Sequence, residues 1–117
     1  MDEVKGIARA KIRPGKLADY KRLCDEAMKI VRTQDTGTLQ YEIFFNADET
    51  EAMVYERYRD AQSAVDHFAR IGHLMQPLLE TADVTGELLA SPSDKFTLGG
   101  GGPGLYTPWR TIDEDKP

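Results

Sequence analysis

Apolar residues along this chain recur with two different periods, and the switches between them mark out its elements. In residues 3–13, EVKGIARAKIR, small or apolar Val4, Gly6, Ala8, Ala10 and Ile12 alternate with a mostly charged set, Lys5, Arg9, Lys11 and Arg13, and Ile7 is the misfit. A period of two puts the two sets on opposite faces of a sheet, so the segment reads as a strand. Pro14-Gly15 ends it, because proline lacks the donor a ladder needs and glycine frees the backbone to turn. From Lys16 to about Thr33 the period lengthens. Leu17, Tyr20, Cys24, Ala27, Met28 and Val31 recur at intervals of three and four, Leu23 and Ile30 widen the stripe, and Lys21, Asp25 and Lys29 stand opposite. That pattern predicts an amphipathic helix with one buried face.

Gln34-Asp35-Thr36-Gly37 breaks the helical period, and Thr38 to Asn46 then reads as a strand rich in Leu39, Tyr41, Ile43, Phe44 and Phe45. The short polar run Ala47-Asp48-Glu49-Thr50 suits a hairpin loop to a third strand, Glu51 to Arg59, with Met53, Val54, Tyr55 and Tyr58. Asp60 is placed to cap a second helix whose apolar face is Ala61, Ala64, Val65, Phe68 and Ile71. Gly72 is expected to bend or end it, leaving Leu74 to Glu80 as a separate helical turn with Pro77 near its start. Asp83 to Ser91, with Val84, Leu88 and Leu89, supplies the last strand.

Strand, helix, strand, strand, helix, strand is the split βαβ order of a ferredoxin-like α+β fold, βαββαβ. Right-handed crossovers place both helices on one face of a four-stranded antiparallel sheet. The second strand is apolar on both sides, so its other face needs cover, and a second copy of the chain is the simplest source. The expectation is a homodimer with its sheets facing each other. A chain of 117 residues has room for one domain at roughly 150 residues each, and the pattern assigns it to residues 1–91. Residues 92–117 form a Gly/Pro-rich tail with half of the glycines, most of the prolines and no apolar period. Two readings stay open for it: a flexible terminus, or an arm docking on a neighbouring subunit through Phe96, Leu105, Tyr106 and Trp109. Its GGGGPG run lacks the Gly-Lys-Ser/Thr that would make it a phosphate loop.

The chain is 40% hydrophobic and 30% charged, as a soluble globular protein is, with a net charge of −5 that argues against nucleic-acid binding. The apolar runs are too short for a membrane span and the charged N-terminus MDEVKG is unlike a signal peptide, so a cytoplasmic location is expected. Cys24, the single cysteine, cannot form an intrachain disulfide and reads as a small core residue rather than a nucleophile. His67 and His73 are six apart, a poor spacing for joint ligation from one helix face, and no metal site is expected.

Several short runs, taken together, are more specific than any one of them: RPGK at 13–16, TGTLQYEIF at 36–44, VYERYRD at 54–60, AVDHF at 64–68 and GHL at 72–74. Across residues 3–91 the chain resembles the antibiotic biosynthesis monooxygenase (ABM) family. The family has a proline-glycine turn after strand one, a glycine before a tyrosine entering strand two, a glutamate-x-aromatic end to strand three, and a histidine on the next helix. The resemblance implies a dimeric α+β barrel and oxygenation of quinols or polyketide aromatics without metal, flavin or haem, with haem degradation and small-metabolite chemistry in related branches. Two departures narrow it. Haem-degrading relatives carry asparagine in strand one and tryptophan at the end of strand three, where this chain has Ala8 and Tyr58. That disfavours haem and also weakens transfer from the polyketide oxygenases.

The reading that follows is a cofactor-independent monooxygenase oxidising a small quinol or hydroxylated aromatic with O2. The alternatives are a noncatalytic dimeric small-metabolite-binding protein and a small-metabolite isomerase or degradation enzyme on the same fold. A deprotonated dihydroxy-aromatic can itself give an electron to oxygen, so the protein need supply only an apolar pocket, a base and donors for the anion. His67 is the candidate base, since imidazole accepts a proton near neutrality, against the plainer role of hydrogen-bonding the sheet or capping a loop. Glu56 and Tyr58 share the helix-facing side of strand three by its period of two. Tyr58 could donate to a substrate oxygen; Glu56 either orients His67 or, the favoured reading, pairs with a strand-one Lys or Arg. Tyr41, Phe44, Tyr55 and Phe68 are the candidate pocket residues, the first three read chiefly as barrel or dimer core.

Overall fold

The computed structural model describes residues 3–91 and 104–112. Its elements follow the chain as β1 (Val4–Ile12), α1 (Leu17–Gln34), β2 (Thr38–Phe45), β3 (Glu51–Tyr58), α2 (Ala61–Thr81), β4 (Ala82–Leu89) and β5 (Gly104–Tyr106). The strands form one sheet in the order β2-β3-β1-β4-β5. The first four are antiparallel, as the pattern predicts, with Gly6 opposite Glu56 on β3 and Leu88 on β4. The four-stranded sheet is extended by a strand that periodicity could not reveal. Gly104–Tyr106 runs parallel to β4, Leu105 beside Leu88, and the amide of Ala90 donates to the carbonyl of Tyr106. The sheet is therefore mixed. In a run of three residues, main-chain pairing decides the outcome and side-chain alternation carries no signal. Leu105, Tyr106 and Trp109 are all exposed here, while Phe96 lies outside the described residues.

Both helices cover one face of the sheet. The residues of β1 and β3 that point at them are Val4, Ala10, Ala52, Val54, Glu56 and Tyr58, all buried. The register places Val4 opposite Tyr58 and Ala10 opposite Ala52. Tyr20, Leu23 and Ala27 of α1 face inward, and Leu23 and Ala27 pack on Ile71 and Leu74 of α2. At the far end of the sheet Tyr20 joins Ala10, Ala52 and Ala82, its ring edge-on to Phe45.

The second helix corrects the expectation of a break at Gly72. It runs unbroken from Ala61 to Thr81 with Pro77 inside it. A glycine costs an exposed helix only about 1 kcal/mol, and Ile71, Leu74 and Leu78 on either side of it are held by packing, which outweighs local propensity. The carbonyl that Pro77 cannot bond belongs to His73, an exposed residue. Asp60 caps the helix as expected, its carboxylate accepting from the amide of Ser63 at 2.8 Å.

One close approach fixes the segment between α1 and β2. Gly37 is buried, and a Cβ built on it would stand 1.9 Å from Ser63 Oγ and 2.4 Å from Ser63 Cβ. Its carbonyl accepts from the amide of Arg59, so the loop cannot easily move away. Gly37→Ala is expected to cost about 1–3 kcal/mol, the usual range for overpacking. Adding Ser63→Gly, which removes both atoms in the way, should recover part of the loss. Denaturant unfolding of the two single variants and the double variant checks this, and additive losses would show that the two positions do not meet.

Candidate functional site

The loop that Gly37 pins against α2 carries Asp35, and Asp35 is the residue around which a buried polar cluster is built. It terminates α1, its own amide donating to the carbonyl of Val31. Its side chain is almost fully buried at 1% exposure. Oδ2 accepts from Thr38 Oγ1 at 2.7 Å and lies 2.8 Å from Nδ1 of His67, while Oδ1 accepts from Arg70 Nη1 at 3.1 Å. His67 and Arg70 are three apart on α2 and share a face. Burial alone would raise the acid's pKa, but the hydrogen bonds from Thr38, His67 and Arg70 outweigh it and hold Asp35 below the ordinary carboxyl range.

An ionised carboxylate can only accept, so the hydrogen on the His67 ring is on Nδ1 whenever the imidazole is neutral. Nε2 then presents a lone pair. It is completely buried with no hydrogen-bond partner, and the nearest acidic atom, Glu56 Oε1, is 3.6 Å away. Glu56 in turn accepts a short hydrogen bond from the Tyr58 hydroxyl. Its burial raises its pKa, against the opposing effects of that hydrogen bond and of His67. The phenols of Tyr58 and Tyr41 are pushed far above the ordinary range by burial first and by the Glu56 charge second, so both stay protonated at neutral pH. Three aromatic rings enclose the imidazole, Tyr41 and Tyr58 each with centroids 5.3 Å from it and Phe68 at 5.4 Å.

The structure thus brings His67, Glu56, Tyr58, Tyr41 and Phe68 together and separates Phe44 and Tyr55 from them. In the β2–β3 register Tyr41 lies opposite Glu56, whereas Phe44 and Tyr55 pair with Met53 and Glu42, placing them on the sheet face away from the helices. The favoured salt bridge of Glu56 to strand one is absent. The strand-one cations project from the other face, where Arg9 pairs with Glu87 at 2.5 Å, and Glu56 faces Gly6 instead. Tyr58 spends its hydroxyl hydrogen on Glu56 rather than leaving it for a ligand. Asp35, Thr38 and Arg70 are absent from the pattern-based set. One signal pointed to Asp35, because an acid closing a helix C-terminus opposes the helix dipole and needs a reason to be there. Asp35 and Glu56 approach opposite nitrogens of His67, so these donors do not converge on one point, and no group of three or more His, Cys, Asp or Glu suited to a metal occurs among the described residues. No helix among them is long and apolar enough to cross a membrane.

A sheet of this order backed by two helices, with a carboxylate-anchored histidine buried between the layers, defines a small ferredoxin-like α+β protein built around one polar cluster. The antibiotic biosynthesis monooxygenase profile matches residues 4–74, more than half of the sequence, and the chain belongs to that family. Solved structures agree on the fold. MupZ from Pseudomonas fluorescens superposes with a TM-score of 0.71 at 22% identity, covering 79% of this chain and 74% of its own. Rv0793 from Mycobacterium tuberculosis gives 0.69 at 23%, covering 82% and 100%. SnoaB from Streptomyces nogalater, a cofactor-independent oxygenase, gives 0.69 at 12%, covering 80% and 97%. At these identities the likeness is one of fold. No curated protein sequence matches significantly.

The opposite shifts of the two carboxyls give stability a pH dependence of definite sign. Around the usual aspartate value of 3.8 the unfolded chain still holds a proton that folded Asp35 has lost, so stability rises with pH there and is lost on acidification through the depressed folded value. Glu56 does the reverse. Above its usual value of 4.5 the folded chain keeps a proton that the unfolded chain has released, so stability falls as pH rises toward the elevated folded value. Glu56→Gln abolishes only the second effect. Thermal melts from about pH 4 to about pH 8 should show the variant gaining on the wild type as pH rises. A difference independent of pH would show that burial does not raise the proton affinity of Glu56.

Proposed function

We propose that the protein is a cofactor-independent monooxygenase that oxidises a small quinol or hydroxylated aromatic with O2, using His67 as the base. The observation that carries this reading is the unpartnered Nε2 of His67, set in its accepting tautomer by the Asp35 carboxylate on Nδ1. A carboxylate behind an imidazole fixes the ring and stabilises the imidazolium that forms when the other nitrogen takes a proton. Family membership supports the same chemistry.

In the proposed reaction Nε2 accepts the proton of a substrate hydroxyl, and the resulting phenolate gives one electron to O2. The two radicals join in a carbon–oxygen bond. The oxygen–oxygen bond then breaks as water leaves, converting quinol and O2 to hydroxyquinone and water, with all four electrons coming from the substrate. The Tyr41, Tyr58 and Phe68 rings enclose the imidazole, and burial strengthens each electrostatic contact made to it. The test is aerobic turnover of reduced quinones and hydroxyanthrones under labelled oxygen, with mass analysis of the products. His67→Asn keeps a donor toward Asp35 but removes the base, and it should lower kcat/KM by about 10²–10⁴-fold. Asp35→Asn should fall between it and the wild type. Binding of these aromatics with no label incorporated by the wild type would instead identify a noncatalytic small-metabolite carrier.

The working form in this proposal is a homodimer joined through the sheet face away from the helices. Phe44, Met53 and Leu89 project from that face at 51%, 39% and 40% exposure, an apolar group of the kind that marks an interface. Light scattering at micromolar concentration should report twice the 13.1 kDa chain mass, and the double variant Phe44→Glu, Met53→Glu should report the single mass. A wild type that runs as a monomer would remove the dimer from the proposal.

A further inference from the structure

The His67 imidazole has no exposed surface, so a substrate must reach it through something that moves. A cleft of about 630 Å³ lies between α1 and β2, within the usual size range of small-molecule sites. Its apolar lining comes from Cys24 and Met28 of α1 and from Ile43 and Phe45 of β2. Two separate stretches of chain lead from it to the buried cluster. Ile43 and Phe45 share the helix-facing side of β2 with Tyr41, the next residue along at that spacing, and the Tyr41 ring rests on His67. On α1, Arg32 and Thr33 line the cleft, and two residues beyond Thr33 is Asp35, hydrogen-bonded to the same imidazole. Tyr41 therefore links the β2 wall of the cleft to the His67 ring.

The cleft also has a charge. Of the three cations lining it, Lys21 is paired with Glu49 at 2.9 Å and lies over the Phe45 ring. Lys29 and Arg32 are exposed and, among the described residues, neither makes an ion pair. Asp25 is the acid on the same lining. Two unpaired cations against one carboxylate leave a single positive charge at the mouth of an apolar slot, on a chain whose net charge is −5. Such a local excess against the overall charge concentrates anions.

We propose that this cleft is the vestibule of the His67 site and selects a hydroxylated aromatic that carries a carboxylate, with Lys29 and Arg32 holding the anion and Tyr41 acting as the gate. This rests on the reading of His67 as the base and adds the substrate class to it. The aromatic body lies along Ile43 and Met28, the carboxylate stays at the mouth, and the hydroxyl at the opposite end reaches Nε2 when Tyr41 swings aside. Neighbouring same-face residues on a strand are roughly 7 Å apart, so a two-ring aromatic with its acid and hydroxyl at opposite ends matches the path.

The experiment compares 6-hydroxy-2-naphthoate with 2-naphthol as ligands for the full chain, by calorimetry at low salt. The acid should bind at least tenfold more tightly. Lys29→Gln with Arg32→Gln, both at exposed positions, should bring the acid down to the level of 2-naphthol and leave 2-naphthol unchanged. High salt on the wild type should do the same without any substitution, because screening weakens exposed charge contacts. Tyr41→Ala should speed association of both ligands. Equal affinity for the two, or a preference for the acid that survives both the double variant and high salt, would overturn the proposal. Oxygen uptake with 5,8-dihydroxy-2-naphthoate and with 1,4-dihydroxynaphthalene separates this inference from the reaction it rests on. Selective binding without uptake keeps the vestibule and removes the monooxygenase, whereas uptake without selectivity does the opposite.

Discussion

A carboxylate can stay ionised inside a protein only if donors replace the water it has lost, and the placing of Asp35 follows from that requirement. Its three donors come from different places in the chain: Thr38 at the start of β2, and His67 and Arg70 on α2. The charge also stands at the negative end of α1, where the helix dipole works against it. Meeting both demands draws the end of the first helix, the first residue of the second strand and the middle of the second helix to one point. The tight packing of Gly37 on Ser63 holds the same junction from its other side. The orientation of the imidazole follows from these contacts and not from any preference of its own.

Along the single axis through the His67 ring, the two acids behave in opposite ways. Asp35, supplied with donors, is held below the ordinary range, and Glu56, with the Tyr58 hydroxyl as its hydrogen-bond donor, is pushed above it. Two titratable groups of one type are thus driven apart by their surroundings, Asp35 toward its charged form and Glu56 toward its protonated form. Tyr58 and Glu56 take this arrangement from the two-residue period of β3, which turns both toward the helices, opposite Val4 and Gly6 of β1.

Much of the fold was legible because periodicity is a direct record of which face is buried. The alternation in β1, the stripe of α1 and the polar interruption at Ala47–Thr50 each place an element within a residue or two of where it stands. Pattern failed where another force decided. Gly72 and Pro77 carry local signals for a break, but the packing of Ile71, Leu74 and Leu78 overrides them. For the site, Glu56 and Tyr58 could be placed on the helix-facing side of β3 and His67 and Phe68 on the second helix, since each sits on a regular element, whereas Tyr41 lies on a strand apolar on both sides and its pattern left the face open. Asp35 could not, because 32 positions separate it from His67 and only the docking of a loop brings them together. Phe44 and Tyr55 show the converse limit: residue type suggests a pocket, while strand register sends them to the other face.

The three residues of β5 change what the rim of the sheet presents to its surroundings. Without them, the end of β4 around Glu87–Leu89 would offer unpaired backbone donors and acceptors next to an exposed leucine, a template onto which a strand of another molecule could add. Gly104–Tyr106 occupies those positions with the chain's own backbone. The start of β4 is protected differently, by charge, with Asp83 paired to Arg13 at 2.9 Å. Gly104–Tyr106 thus covers that stretch with an edge strand of only three residues, and a very short edge is a poor template for adding another chain.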